Sequence, residues 1–103
     1  MTTRAPSRQL ALNTKELSLV RDIVRKYAPR HKVYAFGSRA LANPEAPVKR
    51  HADLDLIFEG PDLTLEERFA LREAFSDSDL PMRVDFIEAV DVPKTWAIRT
   101  SPV

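Results

Sequence analysis

At 103 residues the chain has the length of one ordinary domain, and 44% hydrophobic with 30% charged residues places it among globular rather than disordered or fibrous proteins. A formal net charge of +1 gives no ground for a nucleic-acid or membrane surface, and the lack of cysteine excludes disulfides and thiolate metal sites. No apolar run is long enough to span a bilayer, and the start has no signal-peptide core, so a cytoplasmic protein is expected.

Residues 1–11 read as a loose tail, and 12–103 as one domain with a curtailed C-terminal segment. The stretch LNTKELSLVRDIVRKYAP predicts a helix. Asn13 caps it, Glu16 completes a capping box, and Leu12 with Leu17 forms a hydrophobic staple. Leu17, Val20, Ile23, Val24 and Tyr27 recur on one face, and Pro29 stops the helix. Val33 to Phe36 is a short strand of β-branched and aromatic type. Gly37 then opens a short helix ending near Asn43, and Pro44 and Pro47 impose an irregular loop carrying Lys49, Arg50 and His51. Asp53 to Phe58 is the second strand, ended by Gly60-Pro61. Thr64 with Glu67 offers a second capping box, for a helix through Phe75. The loop SDSDLP, with Asp77 and Asp79 as loop and capping residues, leads to a third strand, Arg83 to Glu88. The remainder holds at most one helical turn, around Trp96, a packing or partner-docking residue. All eight prolines fall outside these elements. The order α-β-α-β-α-β predicts an α/β (α+β) layer, a small mixed sheet packed by helices. A three-stranded sheet is small enough for a partner chain or a homodimer to cover an edge.

Side chains alternate along a strand, so Asp53 and Asp55 point the same way, about 7 Å apart at the backbone. Leu54, Leu56 and Phe58 point into the core. On the third strand Asp85 faces away from Val84 and Phe86. If the two strands are neighbours in register, three carboxylates share one patch and repel each other. The hard ions Mg²⁺ or Mn²⁺ would relieve that repulsion, and two of them about 4 Å apart can activate a hydroxyl and neutralise a leaving pyrophosphate. D-L-D-L is also the pattern of a strand with one wet face. Glu88, on the opposite side of its strand from Asp85, is no metal ligand.

Gly37 permits close approach of a ligand or another backbone. Ser38 starts a turn with free N–H groups, and Arg39 adds a charge able to bind phosphate oxygens. A plain strand-to-helix turn, with glycine for geometry and serine as cap, fits the same residues. The motif lacks the second glycine and the lysine of a P-loop. His51 is either a phosphate contact or a solvated loop residue, His31 is a turn residue, and Lys49, Arg50 and Arg83 can supply phosphate-steering charge.

Taken together, Phe36-Gly37-Ser38-Arg39-Ala40, Asp53-Leu54-Asp55-Leu56 and Arg83-Val84-Asp85 resemble the nucleotidyltransferase superfamily that includes DNA polymerase β. The likeness extends to REAFSDSDLP and the strand RVDF. Over Leu12 to Glu88 it is to the minimal nucleotidyltransferases (MNT), the catalytic chains of bacterial two-component systems. The resemblance implies a nucleoside triphosphate bound with Mg²⁺, its phosphates at Gly37 and Ser38. It implies metals on Asp53 and Asp55, and Asp85 helping to activate the attacking hydroxyl. It further implies transfer of a nucleoside monophosphate, AMP in some members, to an acceptor with release of pyrophosphate. A separate helical HEPN or substrate-binding chain is the implied partner. A subunit that neutralises such a partner by contact alone is the alternative. Three features depart from the family pattern: Ala52 where serine is common, a longer loop from Leu41 to Ala52, and little chain after the third aspartate.

Overall fold

The computed structural model describes residues 10–40, 52–93 and 100–103, excepting the side chain of Ser38. The expectations for residues 1–9 of the N-terminal tail, for Lys49, Arg50 and His51, and for Trp96 lie outside the described residues.

Helix α1 spans Thr14–Tyr27 and begins with the expected capping box. The Glu16 N–H donates to Asn13 Oδ1 at 2.7 Å, and the Asn13 N–H donates to Glu16 Oε1 at 3.0 Å. Helix α2, Leu65–Ser76, begins the same way with Thr64 and Glu67. Each box satisfies N–H groups that a helix start otherwise leaves unpaired. Asp77 is the C-terminal cap of α2.

Four strands form one mixed sheet: β1 (Lys32–Phe36), β2 (Leu54–Glu59), β3 (Val84–Glu88) and β4 (Ser101–Pro102), in the order β3-β2-β1-β4. Strand β1 is antiparallel to β2 and β4, and β2 is parallel to β3. The mixed α+β architecture follows the sequence expectation, with two corrections. A fourth strand was not expected, and it contains Pro102, so one proline lies inside an element after all. An edge strand tolerates proline because the missing N–H can face away from the ladder. The Val103 N–H extends the pairing, donating to the Val33 carbonyl at 3.0 Å. The helix expected after β1 is a single 3-10 turn, Gly37–Arg39; its predicted end near Asn43 is outside the described residues.

The two helices cover one face of the sheet. Val33, Ala35, Leu54, Leu56 and Phe58 from the strands bury there against Val20 and Val24 of α1 and Leu71 and Phe75 of α2. Burial of each large aliphatic or aromatic side chain contributes about 1.5–3 kcal/mol. Glu88, also turned to this side, ties the end of β3 to the start of α2. Its carboxylate accepts the Leu63 N–H at 2.8 Å and pairs with Arg68. Glu88→Ala would leave the buried Leu63 N–H without its acceptor and release the part-exposed Arg68, and a loss of about 1–3 kcal/mol is expected in urea denaturation. Glu88→Gln, which keeps an acceptor, should recover part of it. Among the described residues no helix is long and apolar enough to cross a membrane.

Candidate active site

The site begins with strand register. In the parallel pair Asp55 lies opposite Asp85, and Ile57 opposite Ile87. The Leu54 N–H donates to the Arg83 carbonyl at 2.8 Å and opens this ladder. Alternation then puts Asp55 and Asp85 on the face away from α1 and α2, and Asp53, just before β2, is near enough for its charge to act on Asp55. Register is strict because a slip of one residue would turn an aspartate into the apolar layer occupied by Leu54, Leu56 and Phe86.

The three carboxylates feel each other. Asp55 is half-buried, while Asp53 and Asp85 are exposed. Burial first, then the charges of Asp85 and Asp53, push the Asp55 carboxyl above its ordinary range. Arg83 Nη2 lies 3.7 Å from Asp85 Oδ1, but both side chains are largely exposed and the pair is weak.

Gly37 joins the turn to this cluster. It has φ +78, and a Cβ there would lie 2.6 Å from Asp55 Oδ2. The close approach that the sequence suggested at Gly37 is therefore made by a carboxylate of the D-x-D strand. The turn and the strand are in contact, and in β1 the residue before the glycine, Phe36, pairs with Asp55.

Arg39 is buried, and its guanidinium is turned to backbone carbonyls. Its Nε donates to the Ala52 carbonyl at 2.8 Å and its Nη1 to the Ala11 carbonyl at 2.7 Å. The Ala11 N–H returns a bond to the Arg39 carbonyl at 2.7 Å. The guanidinium thus fixes the Gly-Ser turn to the residue that precedes Asp53 and to the segment before α1. Its five donors in a rigid fork suit this role better than an ammonium does. Arg39→Lys keeps the charge, yet should cost about 1–3 kcal/mol in urea denaturation by leaving a carbonyl unpaired; a residue needed only as a cation would show no loss.

His31 takes part in packing, with Nε2 at the Pro61 carbonyl and its ring edge-on to Phe58. Sequence reasoning passed over Arg72, which stands over the Phe86 ring at 5.6 Å beside a cleft that reaches Asp85. Helical spacing from the exposed Leu65 and Phe69 was the one available signal for it.

As donors, three clustered carboxylates short of positive charge suit a hard divalent cation. Among the described residues, however, no group of three or more acidic or histidine side chains is already arranged to hold a metal. The fit is one of donor chemistry and of a shared face.

A small mixed sheet with these carboxylates on adjacent parallel strands, packed against a Gly-Ser turn, is compatible with a small nucleotidyltransferase fold. No protein-family model matches the chain. The chain is 43% identical over 82 residues to a Haemophilus influenzae protein named probable protein adenylyltransferase MntA, an alignment covering 78% of this chain and 68% of that one. At that identity and coverage the chain belongs to the minimal nucleotidyltransferase (MNT) family, and it is a nucleotidyltransferase.

Proposed function

We propose that the chain transfers AMP from ATP to a hydroxyl group of an acceptor protein and releases pyrophosphate. The observation that carries this reading is the direct pairing of Asp55 with Asp85, with Gly37 held against the Asp55 carboxylate. The name of the Haemophilus relative supports AMP as the group and protein as the acceptor class.

In the proposed reaction Gly37 and Ser38 hold the triphosphate by backbone N–H groups. Asp53, Asp55 and Asp85 are the residues that would bind Mg²⁺ or Mn²⁺. A divalent ion bound there would offset both carboxylate and phosphate charge. Asp85, the outermost of the paired aspartates, takes the acceptor proton. The acceptor oxygen bonds to the α-phosphorus, the bond from that phosphorus to the bridging oxygen breaks, and pyrophosphate leaves in line. A separate helical chain of HEPN type is the proposed acceptor or partner.

The test incubates the chain and the product of the adjacent reading frame with α-labelled ATP and Mg²⁺. Label should pass to the protein acceptor with wild type and not with Asp55→Asn. No transfer to any acceptor, with wild type and Asp55→Asn neutralising the partner equally, would replace this reading with one of binding alone.

A further inference from the structure

Strand β3 is an edge of the sheet, and among the described residues it pairs only with β2. The bond from the Leu54 N–H to the Arg83 carbonyl fixes which backbone groups are used. In a parallel ladder of this register Arg83, Asp85 and Ile87 turn their N–H and C=O toward β2. Val84 and Phe86 turn theirs outward, where a further strand can pair.

We infer that this edge docks an extended segment of the acceptor protein, which adds a strand beside β3 and places its hydroxyl-bearing residue next to Asp85. The inference rests on the proposed protein acceptor and concerns how that acceptor is held. Adjacent strands lie about 4.8 Å apart, and paired residues share a face. A residue opposite Asp85 on an added strand therefore falls in one row with Asp85 and Asp55, on the carboxylate side. Its neighbours in sequence fall on the other side, over a cleft of about 480 Å³ between α2 and β3. Phe75, Leu80, Met82 and Phe86 give that cleft an apolar floor, and Arg72 and Arg83 give it positive charge near Asp85. Arg72 also borders the groove of Leu65 and Phe69, which are 81% and 62% exposed. Main-chain pairing supplies affinity, and the cleft selects the flanking side chains. The arginines favour acidic residues flanking the hydroxyl.

The test uses the whole chain with Mg²⁺, α-labelled ATP and short synthetic peptides, each with one Ser, Thr or Tyr flanked by Glu or by Lys. Each peptide is also made with alternate backbone N-methylation. Glu-flanked peptides should be labelled about tenfold faster than Lys-flanked ones. Arg72→Glu should reverse that order, and N-methylation of the pairing edge should abolish labelling. Val84→Pro, which removes an outward N–H without touching the β2 ladder, should act as N-methylation does; if that variant fails to fold, the methylated peptides carry the test. Equal labelling of methylated and plain peptides would overturn the inference. So would no labelling of any peptide by a chain that Mg²⁺-ATP still stabilises in a thermal melt, or a dimer that Val84→Pro converts to monomer, since a second copy would then occupy the edge. A wild-type chain that Mg²⁺-ATP does not stabilise would overturn the proposed function as well, which separates the two failures.

Discussion

Gly37→Ala is expected to lower the melting temperature by about 10 °C or more, and to remove transferase activity with it. Two costs combine. Glycine at φ +78 sits where an L-residue pays about 1–2 kcal/mol. The added methyl would also stand 2.6 Å from Asp55 Oδ2, so the carboxylate or the turn must move. The costs separate in a double-mutant cycle. In an Asp55→Ala background the second disappears and the first remains, so Gly37→Ala should cost measurably less there than in wild type. Equal costs in both backgrounds would mean that turn and strand do not touch in solution.

Asp55→Asn should cut AMP transfer by at least about a hundredfold, the scale of losing one group that stabilises transition-state charge. The same variant should melt higher than wild type in the absence of metal. The sign follows from linkage. Burial and the charges of Asp85 and Asp53 raise the Asp55 pKa from its ordinary 3.8, so the folded state holds that proton more tightly than the unfolded chain. This contribution to stability is complete below pH 3.8 and is lost as pH rises through the elevated folded value. The advantage of asparagine should therefore be absent in acid and develop as pH rises toward neutrality. Added Mg²⁺ should stabilise wild type and leave the variant unmoved. Unchanged melting, with the same Mg²⁺ response in both proteins, would show that the three carboxylates do not share a patch.

Features set by neighbours in sequence were legible before the fold was known. Both capping boxes involve residues three apart, and the alternation in Asp53-Leu54-Asp55-Leu56 assigns faces whatever the partner strand. The pairing of Asp55 with Asp85 was reachable only as a condition, because register between strands 30 residues apart is decided by the whole layer. The carbonyl partners of Arg39 were out of reach of local sequence for a related reason. A cation after Gly-Ser resembles a phosphate ligand locally, but its carbonyl acceptors lie 28 residues before it and 13 after it. Strand β4 left no pattern because two residues are too few to show a period, and one of them is proline.

The guanidinium of Arg39 has a consequence for how variants of this protein are interpreted. It binds together three stretches of chain that meet behind the Gly-Ser turn. A library selected for activity would score this arginine as indispensable, in the same rank as the aspartates. Its footprint in solution would differ from theirs. Nucleotide should leave its bonds alone, and the Ala11 amide, which donates to the Arg39 carbonyl, should exchange with solvent only when this brace opens. Sensitivity to substitution here measures how the floor of the site is braced, and only amide exchange set beside activity distinguishes a brace from a ligand.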